Sequence, residues 1–351
     1  MNRAKLTIGE SVLSGWSSVS VSRSIDSLAG SVDISMVDKW LLEEMPIAPD
    51  IACRVEIDDA RVLTGYIDSV SLNTTATGNR MGMAGRCKTG NLVDCSIISN
   101  VSTWANVDIV RLATELCDPF GIKVINRLSS VGTKSKSVTL NDGESPFEII
   151  DRLCKERAIL CLSDTNGDLV LTNAGEERAN DRLEEGVNVL SADVSYEFTN
   201  RFARYIVKGQ DNTQGDGWNS GTVKQAGESF DEGVTRYRPK ILTADNAITV
   251  ATLKKRAAWE AQTRAGRSIK VALKVVGWTQ SNGDLWRENL LVFCKIPSLR
   301  VDSDMLINQV DYSQQESGTI CSLQLVRPDT YAAEPPKEVK SKKKKKSWSL
   351  W

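Results

Sequence analysis

The sequence predicts a β-rich α+β protein of several domains, and three observations predict it. The chain has 351 residues, more than one ordinary domain uses, so two or three domains of roughly 100–150 residues are expected. Runs of alternating apolar and polar residues dominate both ends, as half-buried strands require. A hairpin-like stretch near the N-terminus, residues 62–72 then 80–87, has a counterpart near the C-terminus, residues 305–315 then 319–326. Ile67-Asp68 marks the first and Val310-Asp311 the second. Such a pair reads as a duplicated β-module, although common hairpin chemistry also produces it by chance.

Taken in order, residues 1–97 read as a first β-domain. Strands are expected at 12–21, 32–36, 55–59, 62–72 and 80–86, punctuated by Gly9, Gly30, Gly65 and Gly78. Residues 37–44 suit a short helix that stops before Pro46. Residues 98–182 form a small α+β insert. A helix is expected over 106–120, with Val110, Ala113, Leu116 and Phe120 on one face and Gly121 as its stop. Ser145-Pro146-Phe147-Glu148 is a capping box opening a second helix. The turn Asp164-Thr165-Asn166-Gly167-Asp168 then joins two strands. Residues 183–331 return to β, interrupted at about 210–266. Within that interruption, residues 210–233 are polar and Gly-rich and read as a long flexible loop. A helix follows over 246–265, with Gly266 just past its end. This segment is expected to join the insert. Residues 332–351 read as a disordered Lys-rich tail.

Composition narrows the chemistry. The chain has no histidine, which removes Ser-His-Asp and Cys-His nucleophiles and histidine metal sites. Its eight cysteines contain no Cys-x-x-Cys pair and read as buried free thiols rather than a zinc site. The 164–168 turn lacks the glycine and glutamate positions of an EF-hand loop; it and Ser281-Asn282-Gly283-Asp284 read as structural turns. No phosphate-binding or dinucleotide fingerprint occurs. Glu43-Glu44, Glu176-Glu177 and Glu184-Glu185 read as solvated faces. The tryptophans Trp16, Trp40, Trp104, Trp218, Trp259, Trp278 and Trp286 read as core or interface anchors. No cofactor, metal or catalytic residue is expected. No run is long and apolar enough to span a membrane, and no signal peptide is legible, so folding in a cytoplasm is expected.

Charge is lopsided. The tail holds seven Lys and two Glu, a net of +5, and the whole chain carries −1, so residues 1–331 carry −6. An acidic body argues against a broad nucleic-acid-binding face. For the tail, Lys342, Lys343, Lys344, Lys345 and Lys346 with Trp348 and Trp351 allow three readings: a docking peptide anchored by its aromatics, nonspecific nucleic-acid contact, or a solubilising tail.

Several ordered stretches resemble one family. Residues 16–33, Thr64-Gly-Tyr-Ile-Asp68, and Gly85-Arg-Cys-Lys-Thr-Gly-Asn-Leu-Val-Asp-Cys95 are similar to Mu-type phage tail proteins, the baseplate hubs of contractile tails. So are 140–147 through 169–172, Ala258-Trp-Glu260, Arg264-Ala-Gly-Arg267, Gly277-Trp278 and Gly283-Asp-Leu-Trp286. The resemblance covers residues 1–331. It implies two tail-tube-like β-barrel or sandwich domains per chain. Three chains would form a ring that joins the sixfold tail tube to the trimeric spike and surrounds a DNA channel. The implied partners are further copies of the chain, the spike, the tube and other baseplate proteins, in a virion tail assembled in the host cytoplasm. An acidic channel wall is expected from the body charge. The competing class is a tail-associated peptidoglycan hydrolase working through carboxylates, which a cell-wall turbidity assay separates.

Overall fold

The computed structural model describes residues 4–37, 47–57, 60–76, 78–157, 159–211, 223–243, 250–315 and 318–331. The N-terminal part contains β1 (Ala4–Ile8), β2 (Ser11–Leu13), β3 (Ser18–Ser24), β4 (Ser31–Val37), β5 (Ala52–Ile57), β6 (Ala60–Thr75) and β7 (Gly78–Cys87), then the single turn α1 (Gly90–Asp94). The middle contains β8 (Thr103–Val107), α2 (Ile109–Cys117), β9 (Val124–Asn126), β10 (Ser135–Thr139), α3 (Pro146–Arg157), β11 (Leu160–Ser163) and β12 (Leu169–Thr172). Two short strands, β13 (Glu177–Arg178) and β14 (Leu183–Glu184), lead to β15 (Val189–Tyr196). Then come β16 (Arg204–Asp211), β17 (Val223–Phe230), β18 (Pro239–Thr243) and α4 (Val250–Arg267). The chain returns through β19 (Ile269–Val276), β20 (Leu290–Ile296), β21 (Val301–Gln315) and β22 (Gly318–Val326).

The protein is β-rich and multidomain, as the strand patterning predicts. Its largest element is a sheet of 14 strands running β15-β19-β22-β21-β3-β4-β7-β6-β5-β1-β2, with β13, β14 and β20 on a side branch at β21. Alternation builds it. In β4 the inward Val32, Ile34 and Met36 are buried, whereas Asp33 and Val37 are exposed, the period of two that a pleated strand imposes. One apolar core, from Leu6 through Leu325, backs both ends of this sheet.

The sheet contains the same order twice. Residues of β3-β4-β7-β6-β5 pair as those of β15-β19-β22-β21-β20 do. The corresponding hairpins, β6–β7 and β21–β22, each carry a one-residue bulge, at Asp68 between Ile67 and Ser69 and at Asn308 between Ile307 and Gln309. Each turns after a two-residue gap into a glycine, Gly78 or Gly318, whose positive φ of 153° or 123° a side chain would strain. The equivalent residues are therefore 240 positions apart. This corrects the pairing of Asp68 with Asp311: the true counterpart of Asp68 is Asn308, three residues earlier. Ile67 and Ile307, both with no exposed area, fix the register from the core side.

The insert packs separately, around Leu112, Leu116, Ile149, Leu153 and Leu171. The capping box forms as expected: Glu148 N–H donates to Ser145 Oγ at 3.2 Å and Ser145 N–H to Glu148 Oε2 at 2.8 Å. The first helix starts later than residue 106. Residues 103–107 pair with β10, and Asp108 caps α2 by accepting from Arg111 N–H at 2.9 Å.

Residues 210–233 do not form one loop. Val223–Phe230 pairs along the whole of β16, and β18 completes a three-stranded sheet; residues 212–222 lie outside the described set. Here glycine permits contact rather than flexibility. A Cβ on Gly227 would lie 2.3 Å from the α4 backbone at Leu253 and Lys254, so α4 rests directly on β17. Gly266 likewise is no helix stop. It lies inside α4, where a Cβ would meet Thr330 at 1.9 Å. The α4 helix packs mainly on β16 and β17, and also touches α3 and the turn Pro328–Thr330. The short helix expected over 37–44 falls largely outside the described residues, and Val37 itself ends β4.

Candidate functional site

The first residue-level site is the seam between the two β-modules. The β21 segment 309–314 pairs antiparallel with β3 from Ser24 back to Val19, placing Val310 opposite Arg23 and Tyr312 opposite Val21. Val19, Val21, Val310 and Tyr312 are all buried there, each contributing on the order of 1.5–3 kcal/mol by leaving water. Tyr312 Oη donates to the Trp286 carbonyl, and its ring meets Trp278 edge-on with centroids 6.3 Å apart.

A buried ion pair locks this seam. Arg23 occupies an inward β3 position where alternation calls for an apolar residue. Its Nε and Nη2 donate to Glu288 Oε1 at 2.9 and 2.6 Å, Nη1 donates to the Val62 carbonyl at 2.8 Å, and Nη2 to the Ser163 carbonyl at 2.5 Å. One guanidinium thus binds the first module, the insert and the second module together. The side chains are only 11% and 7% exposed. Burial opposes charge on both, yet the partner outweighs it: Arg23 is held above the ordinary arginine value and Glu288 below the ordinary glutamate value.

A second node fastens the C-terminal end of the described body. Tyr331 Oη donates within a group holding Asp26 Oδ1 at 2.6 Å and Asn308 Oδ1 at 2.7 Å. Arg267 at the end of α4 donates to Asp26 at 2.5 Å. Asn308, the bulge residue, also accepts from Ile25 N–H through its carbonyl at 2.8 Å. The bulge therefore turns a side chain and a carbonyl toward the neighbouring module.

The turn at 164–168 belongs to the same assembly. Asp164 Oδ1 accepts from the N–H groups of Asn166 and Asp168, both at 2.8 Å, which leaves the carboxylate committed to its own turn. The tip docks on β6, with Thr64 Oγ1 donating to the Thr165 carbonyl at 2.8 Å and Arg61 to Asn166 at 2.5 Å. Among the described residues no group of three or more metal-ligating side chains exists. In two of the acidic pairs one glutamate also makes a surface ion pair from its solvated face. Glu177 pairs with Arg287, and Glu184 with Lys295 at 2.9 Å; Glu43-Glu44 lies outside the described residues.

Lys342 to Lys346, Trp348 and Trp351, the docking candidates read from sequence, also lie outside the described residues, as do Trp40 and Trp218. Trp16, Trp104, Trp259, Trp278 and Trp286 are buried, in keeping with their reading as core anchors. Cys95 is exposed and Cys161 half-buried, whereas the other six thiols are buried and all eight are free. Arg23 and Glu288 were missed by sequence reasoning. Their trace is a charge at an inward strand position, Val19-x-Val21-x-Arg23, and another between Trp286 and Leu290.

Three family models match in chain order: the N-terminal domain of GpP-like Mu phage baseplate assembly proteins over residues 3–87, the second domain of gp44-like baseplate hub proteins over 89–173, and the fourth domain of GpP over 249–334. The baseplate hub protein gp44 of Escherichia phage Mu is 35% identical over 297 residues, 83% of this chain and 78% of that protein. The 43 kDa tail protein of prophage MuSo2 from Shewanella oneidensis is 30% identical, with a TM-score of 0.82 covering 94% of this chain and 99% of that one. A tail protein from Neisseria meningitidis MC58 shares the fold at 19% identity, with a TM-score of 0.81 over 95% and 99% of the two chains. With its duplicated sheet, its insert and these matches together, the chain belongs to the Mu-type phage baseplate hub proteins, components of the virion tail.

Proposed function

We propose that three copies of the chain close into a ring that adapts the sixfold tail tube to the trimeric spike and surrounds a channel for DNA. The observation that carries the proposal is the repeated strand order within one sheet. Two like modules per chain give six like surfaces per trimer, which is what a threefold-to-sixfold adaptor needs. We divide the chain accordingly. Residues 1–97 are the first tube-like module and 98–182 the insert. Residues 183–331, apart from the β16–α4 unit, are the second module, and 332–351 are the tail.

In this ring the sheet face opposite the core lines the channel. Its first module offers Ser18, Ser20, Asp33, Ser35 and Ser71, and its second Ser313, Asp311 and Asp193 with Lys270 and Lys274. The wall is then rich in hydroxyls and carries charges of both signs. Small neutral groups hold a polyanion weakly, because counterion release requires clustered cations. Nothing in this role needs a nucleophile, and we assign the chain no catalytic activity. The test is the solution mass of the full chain by sedimentation equilibrium. A species of three times 38.6 kDa is expected, and a stable monomer at micromolar concentration overturns the ring.

A further inference from the structure

Two edges of the large sheet carry no strand among the described residues. One is residues 69–74 of β6, which run on past β5. The other is the outer edge of β15 over 192–196, whose inner edge pairs with β19. They lie toward opposite ends of the sheet order.

The seam inside the chain says what each edge fits. β6 is the counterpart of β21, 240 residues earlier. β3 is the counterpart of β15: Ser20 lies opposite Asp33, which lies opposite Ala84, and Asp193 lies opposite Ala272, which lies opposite Gln324. Ser20 therefore corresponds to Asp193. Since β21 pairs with β3, the same rule applied to the remaining edges pairs β6 with β15.

We propose that residues 69–74 of one copy pair antiparallel with β15 of a second copy, with Leu72 opposite Val194 and Val70 opposite Tyr196. This rests on the ring reading above and supplies its contact. Within the chain the equivalent positions are Tyr312 opposite Val21 and Val310 opposite Arg23.

Side-chain chemistry agrees at both edges. Leu72 is 61% exposed although its counterpart Tyr312 is 2% exposed. Tyr196 is 63% exposed, and Phe198, just past β15, is 41% exposed where its counterpart Ile25 is 7%. Large apolar side chains sit in water at the positions the seam buries. Monomeric sheets guard such edges with lysine, proline or inward charge. Ser69-Val70-Ser71-Leu72-Asn73-Thr74 and Ala192-Asp193-Val194-Ser195-Tyr196 contain no lysine or proline, and one charge. The contact is head to tail, so each copy uses one edge on each side and successive copies close a ring.

The test is a full-length Leu72→Cys/Val194→Cys chain, oxidised mildly with copper-phenanthroline. Directly opposed Cα atoms lie about 4.5–5.5 Å apart in an antiparallel ladder, within disulfide reach. Reducible dimers and higher species on a denaturing gel are expected. Each single variant, which retains the native exposed Cys95, should give no more than background, and a Leu72→Cys/Asp193→Cys chain less than the matched pair. An intact oligomer with no matched crosslink overturns the strand pairing and leaves the ring standing. A monomer by sedimentation overturns both. As a second arm, Leu72→Glu changes a side chain the single chain leaves in water, so folding by circular dichroism should persist. Self-association should fall at least roughly ten-fold, because the carboxylate would be buried without a partner; unchanged association overturns the proposal.

Discussion

Removing Arg23 should damage this protein more than removing its partner, because Arg23 holds three parts of the chain and Glu288 holds one. In Arg23→Leu, Glu288 stays in its buried position without its ion-pair partner, and only the weaker attraction of Arg287 remains. The Val62 and Ser163 carbonyls also lose their donor. A buried charge left without its partner costs about 3–5 kcal/mol, and orphaned carbonyls add to this where water cannot reach them, so a loss of about 4 kcal/mol or more is expected. In Glu288→Gln the amide oxygen still accepts from Nε, and Arg23 keeps both carbonyls, so about 2 kcal/mol is expected. The double change Arg23→Met/Glu288→Leu removes both charges at once and should cost less than the two single losses summed, by about 2 kcal/mol. The assay is urea unfolding followed by tryptophan fluorescence, since Trp278 and Trp286 are buried in the same core. Chain concentration is held fixed, because association would add its own stability. An Arg23→Leu protein within about 0.5 kcal/mol of the parent, or a double change whose cost equals the sum, would refute the lock.

The remaining expectations concern pH and packing. Glu288 has a folded pKa below its ordinary value of about 4.3, so its ion pair stabilises fully above that value, and the contribution disappears as pH falls through the folded pKa. Acid titration of stability should therefore fall less steeply in Glu288→Gln than in the parent, and identical slopes would contradict the assignment. Gly227→Ala places a methyl 2.3 Å from the α4 backbone. It should cost about 1–3 kcal/mol by overpacking, read as faster amide exchange confined to 204–267, and unchanged exchange there would show that the helix does not rest on β17.

Local geometry was legible in the sequence where one short segment decides it. The box Ser145–Glu148 and the turn Asp164–Asp168 are each satisfied by residues within four positions, so their side chains announce the structure directly. Strands were legible because burial alternates residue by residue. Partners were not. The hairpin repeat was visible, but Asp311 drew the alignment three residues off, since nothing in one sequence marks Asn308 as a bulge until its neighbour is seen. Gly227 and Gly266 read as a flexible residue and a helix stop. The sequence records only that no side chain is present. Whether that absence frees the backbone or admits another element depends on what lies against it. Arg23 was the most legible of the missed residues, as a charge breaking an apolar alternation. Its three partners come from residues 62, 163 and 288 and could not be read from spacing.

The same comparison explains why the two modules are not copies in their details. At the seam, position 23 is Arg and its partner Glu288 is buried; at the β15 edge, which carries no strand among the described residues, the corresponding position is Tyr196. An intramolecular seam forms once, during folding, and tolerates a buried ion pair because both charges and two carbonyl acceptors arrive together. A contact between copies must form from two surfaces that are separately stable in water. A lone arginine awaiting its partner would have to shed its hydration at association, a cost that tyrosine avoids while still offering area and a hydroxyl that can remain wet. Leu72 in place of Tyr312 follows the same logic, since Tyr312 Oη needs the Trp286 carbonyl that the second module supplies. Divergence at these two positions is thus what one expects if one seam is built by folding and its counterpart by assembly. Restoring the seam chemistry at the β15 edge, with Tyr196→Arg, should weaken association without weakening the single chain.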